Sequence, residues 1–166
     1  IAPEGGGVSQ GIVPLDAAKL SQCLEHYFNP SEQLPPQIKL CAAGWTLMRH
    51  PSAAKEWSMD RKLKEAREAG FHGFSAGPSS DVAQACAKWG MELVGMVDIG
   101  NAQEVAAKLD RFEGTGAVHV NVQLCDHDTP TETAVSIARA ALQYGESLGL
   151  KPAIEWHRDT CTETPE

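Results

Sequence analysis

Several features are scarce in this 166-residue chain, and each scarcity argues against a class of function. Basic residues are few, since 14 lysines and arginines stand against 22 aspartates and glutamates, for a net charge of −8. The densest basic stretch, residues 61–67, lies among the acidic residues Asp60, Glu65 and Glu68. Because a nucleic-acid surface needs clustered positive charge, the sequence predicts no nucleic-acid partner.

Long apolar runs are also missing. The chain has no stretch of about 18 apolar residues, and no charged start followed by an apolar segment, so it predicts neither a membrane span nor a signal peptide. Its hydrophobic content of 42% is typical of a globular protein. We therefore expect a globular, acidic protein that does not enter a membrane.

The cysteines lack any paired spacing. Cys23, Cys41, Cys86, Cys125 and Cys161 are scattered, odd in number, and form no C-x-x-C motif. Such a set favours reduced thiols in a cytoplasmic protein over a disulfide framework. The phosphate-binding and dinucleotide-binding glycine motifs, the serine-hydrolase G-x-S-x-G and the zinc motif H-E-x-x-H are absent too, which argues against those activities.

Two regions differ in pattern. Residues 1–36 predict an N-terminal extension with one helix over 15–28, bounded by prolines. From residue 37 to 166 one unit recurs: an apolar run, a loop, a helix, a glycine and another apolar run. The predicted strands are 38–43, 71–75, 91–98, 117–124 and 152–155. Strands that alternate with helices indicate an α/β fold with a parallel sheet.

The helix ends carry recognisable signals. Thr129-Pro130-Thr131-Glu132 has the pattern of a capping box, and Asn101 to Glu104 repeats its spacing. Ser58 and Ser80 are predicted N-caps. Glycines stand before the next strand at the positions where left-handed C-caps are expected, namely Gly70, Gly90, Gly116 and Gly149.

Two architectures fit this pattern, an open doubly wound five-stranded parallel sheet and a (β/α)8 TIM barrel, of which strands 1–5 would be present. Three features favour the barrel. In 117–124, His119, Asn121 and Gln123 alternate with apolar residues, which suits a polar lumen. A later strand places Glu155 and His157 on one face. The chain stops at a helix-start pattern, residues 164–166, so the barrel is expected to be truncated here.

The segment from Ala153 to Thr160 holds the sharpest constellation. Period-two geometry sends Glu155 and His157 to one face, at the carboxyl end where α/β folds bind ligands. A carboxylate there suits a divalent metal or a general base, and an imidazole can polarise a carbonyl or move a proton. The alternative is a structural ion-pair network of Glu155, His157 and Arg158.

Other residues are weaker candidates for binding. Trp45 follows the first strand and could stack on a sugar ring, Ser75 begins a rim loop, and Gln123 could hydrogen-bond a hydroxyl. His119 is expected to be a satisfied core histidine. The Asp126-His127-Asp128 run has metal-like spacing, but loop aspartates before a helix commonly act as caps.

The run Ile154-Glu155-x-His157-Arg158-x-Thr160 and the run Gly70-Phe71-His72-Gly73-Phe74 resemble motifs of the xylose-isomerase-like superfamily of sugar isomerases and epimerases. The resemblance covers about residues 38–166. It implies a TIM barrel in which Glu155 ligates a divalent metal (Mn, Mg, Zn or Co) and His157 polarises the substrate. His72 and Ser75 depart from the acidic residues usual in that family.

These observations predict a metal-dependent isomerase or epimerase of carbohydrate metabolism, acting on a sugar or related polyhydroxy carbonyl compound. Its catalytic residues would be Glu155 and His157, and its substrate-binding residues Trp45, Ser75, Gln123 and Arg158. A homo-oligomer is compatible with this prediction. Two alternatives stay open. One is a metal-dependent polyol dehydratase or abasic-site endonuclease of the same superfamily, the latter disfavoured by the charge. The other is a non-catalytic α/β subunit.

Overall fold

A computed structural model describes Gln22 and residues 39–163 of the chain. Internal contacts divide the chain into two units, Ile1–Lys39 and Leu40–Glu166. The predicted helix at 15–28 and the helix start at 164–166 lie outside the described residues. The predicted boundary at residue 36 stays a prediction.

The second unit contains a five-stranded sheet. Its strands are β1 (Cys41–Ala43), β2 (Gly73–Ala76), β3 (Glu92–Ile99), β4 (His119–Leu124) and β5 (Lys151–Ile154). Every neighbouring pair is parallel, and the strands follow one another in chain order from β1 to β5. The prediction of an α/β fold with a parallel sheet is confirmed, whereas the TIM barrel stays a prediction.

Four α-helices connect these strands. They are α1 (Met59–Glu68), α2 (Ser80–Trp89), α3 (Glu104–Leu109) and α4 (Thr131–Ser147), and short 3-10 turns occur at Gly44–Leu47, Ala53–Lys55 and Asp110–Phe112. Right-handed connections between adjacent parallel strands place such helices on one face of a sheet. In the part of the chain described here, no helix is long and apolar enough to cross a membrane.

The helix starts match the sequence signals only in part. Ser58 caps α1, and its hydroxyl accepts a hydrogen bond from the Arg61 amide at 3.3 Å. The N-cap of α2 is Ser79, one residue before the predicted Ser80. The predicted capping box at Thr129 is wrong, because the Thr129 hydroxyl instead donates to the Asp126 carboxylate at 3.0 Å, and α4 starts after Pro130.

The glycines predicted to end the helices do adopt left-handed backbone. Gly70, Gly90, Gly116 and Gly149 have φ values of 99°, 60°, 77° and 76°. Residues with a Cβ rarely adopt this conformation, and glycine adopts it without steric cost. Each of these glycines therefore turns the chain towards the next strand, as the sequence pattern predicts.

The core lies between the apolar face of the sheet and the helices. In β4, Val120, Val122 and Leu124 are buried, whereas Asn121 and Gln123 on the opposite face are half-buried. The predicted alternation of this strand is therefore confirmed. His119 is exposed, so its prediction as a core histidine is wrong; it is the first residue of the strand, at the edge of the packed layer.

Candidate binding site at the carboxyl edge of the sheet

A cavity of about 240 Å³ lies where β3, β4 and β5 end. We call it the edge cavity. Polar side chains from three chain segments line it, which is the usual position of ligand sites in parallel α/β folds. Its lining residues are Asp98, Ile99, Gly100, Gln123, Cys125, His157, Arg158, Asp159 and Thr160.

Gln123 links the edge cavity to Glu155. The side-chain amide of Gln123 donates a hydrogen bond to Oε2 of Glu155 at 3.4 Å. Glu155 follows β5 directly, and its backbone amide extends the sheet by donating to the Val122 carbonyl at 2.9 Å. The two side chains therefore lie on the same face of the sheet, at the ends of neighbouring strands.

The His157 ring is hydrogen-bonded to the backbone of the next residue. Its Nδ1 lies 2.6 Å from the Arg158 carbonyl oxygen. A carbonyl can only accept, so Nδ1 carries the proton, and in the neutral ring Nε2 is the acceptor. The imidazole can therefore accept a hydrogen bond from a ligand through Nε2 at the edge cavity.

Two threonines hold the loop that carries His157. Thr162 accepts from the His157 amide at 3.2 Å and donates to the Glu155 carbonyl at 2.9 Å. Thr160 is buried, and its hydroxyl donates to the His157 carbonyl at 2.6 Å. These bonds fix the backbone on both sides of the imidazole. Sequence analysis did not assign Thr162 a role, because hydroxyl-to-backbone bonds in an irregular loop follow no periodic pattern.

Two of the predicted binding residues lie apart from this group. Trp45 lies in the 3-10 turn after β1, with its side chain 65% exposed. Ser75 is buried within β2. Neither lines the edge cavity, which includes Gln123, His157 and Arg158 of the predicted set. The other lining residues were not in that set, namely Asp98, Ile99, Gly100, Cys125, Asp159 and Thr160.

The alternative of an ion-pair network receives no support. Among residues 39–163, no salt bridge joins Glu155, His157 and Arg158. Glu155 is instead hydrogen-bonded to the Gln123 amide, and the His157 ring to the Arg158 carbonyl. The roles predicted for these residues in binding or catalysis stay predictions.

A metal centre is not formed by the described residues. Within Gln22 and residues 39–163, no three His, Cys, Asp or Glu side chains come together to hold a metal ion. The Asp126 carboxylate instead closes a turn, accepting from the Asp128 amide at 3.1 Å and from the Thr129 hydroxyl. Glu155 and His157 alone do not make up a ligand set, so the divalent metal stays a prediction and no chemical step is derived through it.

Comparison with known proteins points to a different family. Residues 2–54 match the family model of the Hsp33 protein. A 33 kDa chaperonin of Shewanella frigidimarina is 57% identical over 44 residues, which is 26% of this chain and 15% of the relative. The 33 kDa chaperonin of Hahella chejuensis is 48% identical over 58 residues, 32% of this chain and 20% of the relative.

A third 33 kDa chaperonin, from Aeromonas salmonicida, is 41% identical over 69 residues, or 36% of this chain and 24% of the relative. The chain therefore spans 15% to 24% of the length of these three relatives. Of the five strands, only β1 lies within residues 2–54. The edge cavity lies beyond that match.

These matches correct the family and function predicted from the sequence. The xylose-isomerase-like resemblance, the metal-dependent sugar isomerase or epimerase, the assignment to carbohydrate metabolism and the classification as an enzyme were wrong, because the relatives are chaperonins of the Hsp33 family. The resemblance depended on a few residues around Glu155 and His157. The Hsp33 match extends over 53 consecutive positions.

Proposed function

We propose that this protein is a molecular chaperone that binds unfolded polypeptide segments through the exposed apolar side chains of Trp45 and Met48, which lie in the stretch of residues 2–54. One observation carries the proposal: this stretch matches the Hsp33 family, with 57% identity over 44 residues to a 33 kDa chaperonin. Its partners would then be proteins with exposed apolar segments. A sugar-like small molecule is not needed for this activity.

Exposed apolar side chains within the matched stretch support the proposal. Trp45 and Met48 are 65% and 63% exposed, although each is large and apolar. They belong to one 3-10 turn and its C-cap, so they lie close along the chain. Methionine is flexible and polarisable, and it recurs on surfaces that bind many different apolar sequences. This surface suits segments of varied sequence.

The residues on either side of Trp45 and Met48 are closely packed. The position of Gly44 leaves no room for a side chain, since a Cβ there would lie 2.8 Å from the Ser75 carbonyl oxygen. On the other side of Met48, His50 packs edge-on against Trp57 with ring centroids 4.4 Å apart. The Arg61 guanidinium covers Trp57 at 4.2 Å. Trp45 and Met48 are therefore held between two packed positions.

The order of the strands supports a separate proposal about the fold. We propose that the five strands are built like part of a (β/α)8 barrel rather than a doubly wound sheet. Supporting this, the strand order follows the chain without the reversal that creates a doubly wound switch point. A crystal structure with helices on both faces of the sheet would contradict it.

The cysteines support a cytoplasmic location. Cys41, Cys86, Cys125 and Cys161 are all free thiols. Free cysteines are usual in reducing compartments, whereas secreted domains tend to pair theirs. Cell fractionation with detection of the full chain would test the location, and recovery outside the cytoplasm would contradict it.

An aggregation assay tests the chaperone function. A client enzyme that aggregates on heating is incubated with the full chain, and light scattering is followed over time. We expect scattering to fall as the chain approaches equimolar ratio. Unchanged scattering at a severalfold excess of the chain would contradict the proposal.

Matched variants localise the activity. Replacing Trp45 and Met48 together by serine is expected to weaken suppression severalfold, while circular dichroism stays unchanged because both side chains are exposed. Trp156→Ser is the matched control, since Trp156 is 66% exposed and lies outside the matched stretch. An equal loss from Trp156→Ser would contradict a binding surface within residues 2–54.

A further inference from the structure

Positive charge is concentrated in the stretch that contains the exposed 3-10 turn. Residues 40–64 hold five lysines and arginines and two acidic residues, whereas the rest of the chain holds 9 basic and 20 acidic residues. The stretch is therefore basic within an acidic chain. It also contains Trp45 and Met48, the exposed apolar side chains through which clients are proposed to bind. A segment that docks on these two side chains thus meets a locally positive surface.

Both acidic residues of this stretch already have a partner. The Glu56 carboxylate pairs with the buried Lys62 ammonium. The Asp60 carboxylate lies 2.6 Å from Nζ of Lys88 and also accepts a hydrogen bond from the Trp89 indole at 3.0 Å. Neither carboxylate forms a salt bridge with the other cations of residues 40–64, whose charge is therefore left for a binding partner.

The backbone holds two of these cations, Arg49 and Lys55, near Met48. Arg49 directly follows Met48 and has a left-handed backbone with a φ of 60°. The Trp57 amide donates to the His50 carbonyl at 2.8 Å, which closes a loop and brings Lys55 back towards Arg49. Both cationic side chains are exposed, and among residues 39–163 neither forms a salt bridge.

We propose that the surface formed by Trp45, Met48, Arg49 and Lys55, which we call the client surface, selects unfolded segments in which apolar residues stand beside aspartates or glutamates. This inference rests on the proposed chaperone function and names the class of client segment. Trp45 and Met48 supply apolar contact, which is non-directional and tolerates varied sequences. Arg49 and Lys55 supply the selection, because they attract an acidic side chain next to the docked apolar residue and repel a basic one.

The local charge outweighs the net charge of the chain at this surface. At physiological salt the screening length is about 8 Å, so a docked segment interacts with the nearby cations and little with distant acidic residues. The net charge of −8 is therefore compatible with an acidic partner here. Exposed ion pairs are individually weak, so we expect two of them to change the affinity about threefold to tenfold.

Fluorescence anisotropy with labelled peptides tests the selection on the full chain. Three unstructured peptides share one apolar sequence and carry aspartate, asparagine or lysine at the same positions. At about 0.15 M salt we expect the aspartate peptide to bind about threefold to tenfold more tightly than the asparagine peptide, and the lysine peptide to bind most weakly. These differences should disappear at about 0.5 M salt. Equal affinities for the aspartate and asparagine peptides would overturn the selection and leave the chaperone function standing, whereas no binding of any peptide would contradict both.

Charge-removing variants assign the selection to the client surface. Arg49→Gln combined with Lys55→Gln should lower the affinity for the aspartate peptide to that for the asparagine peptide. Arg139→Gln combined with Lys151→Gln is the matched control, because it removes the same charge from exposed positions outside residues 40–64. The control should leave the affinity for the aspartate peptide unchanged. An equal loss from both double variants would overturn the proposal, since the net charge alone would then explain the selection.

A nucleic acid is the other kind of polyanion that a basic surface would suit. A labelled oligothymidylate of the same length as the peptides is therefore titrated under the same conditions. We expect it to bind more weakly than the aspartate peptide, because two cations neutralise few phosphates and the rest of the chain is acidic. An oligothymidylate that binds more tightly than the aspartate peptide, and loses this binding in the variant of Arg49 and Lys55, would overturn the proposal.

Discussion

At the scale of single residues, Lys62 is unusual because it is a charged residue in the buried part of the described chain. Its side chain is buried, although it carries a charge, and its ammonium group pairs with the Glu56 carboxylate. A buried charge is costly without a partner. We therefore expect the free energy of unfolding to depend on the pairing of Lys62 with Glu56. Lys62 lies on α1, and Glu56 lies in the segment just before it, so the pair fixes the approach to the helix.

Glu56→Gln should lower the free energy of unfolding at pH 7, since it leaves the Lys62 ammonium without its counter-charge. The hydrogen bond from Lys62 lowers the pKa of Glu56 below its ordinary value of 4.5. A lowered carboxyl pKa contributes stability above pH 4.5, and this contribution is lost as the pH falls through the folded-state value. Urea unfolding of the wild type and the variant at pH 7 and pH 3 measures the difference, which should shrink at pH 3.

The control for this prediction removes the ammonium. In a Lys62→Met background the Glu56→Gln substitution should have little effect, because no buried charge remains to be paired. A difference between wild type and Glu56→Gln that is equally large at both pH values would contradict the account of this pair.

At the scale of secondary-structure elements, the 3-10 turn Asp110–Phe112 packs closely against β3. Phe112 is buried and packs directly over Gly95 of β3. A Cβ at position 95 would lie 2.5 Å from Cε1 of Phe112 and 3.0 Å from Cγ2 of Val120. The glycine therefore makes room for an aromatic ring on the core face of the sheet.

Gly95→Ala should destabilise the unit by about 1–3 kcal/mol, because the added methyl group overpacks the ring. Gly77→Ala is the matched control, since the nearest atom to a Cβ there is the Met96 carbonyl oxygen at 3.9 Å. Urea unfolding gives both values. Phe112→Leu should recover part of the loss in the Gly95→Ala protein, and an equal cost for both glycine variants would contradict this packing.

Much of the element structure could be predicted from local pattern. The alternation of β4 and the left-handed glycines Gly90 and Gly149 follow from rules that involve only neighbours in sequence. The start of α4 could not be predicted from neighbouring residues alone. The Thr129 hydroxyl bonds to the Asp126 carboxylate instead of capping the helix, and this choice depends on the geometry of the loop. The sequence did not predict the contact between Gln123 and Glu155, because it depends on the pairing of two strands that are distant in sequence.

At the scale of the whole molecule, the family could not be predicted from chemical motifs. The segment around Glu155 and His157 offers side chains that many sites use, so a short resemblance there did not specify a family. The Hsp33 match covers residues 2–54, and one 33 kDa chaperonin is 57% identical to the chain over 44 residues. Comparison over a long stretch detects this kind of similarity, and motif analysis does not.

Site-specific photo-crosslinking is the sharpest test of the proposal that unfolded clients bind at Trp45 and Met48. The full chain is prepared as Met48→p-benzoylphenylalanine and separately as Trp156→p-benzoylphenylalanine, then irradiated with a native or a heat-unfolded client. We predict a crosslinked product only for position 48 and only with the unfolded client. Equal crosslinking from position 156, or none from position 48 with the unfolded client, would contradict the account.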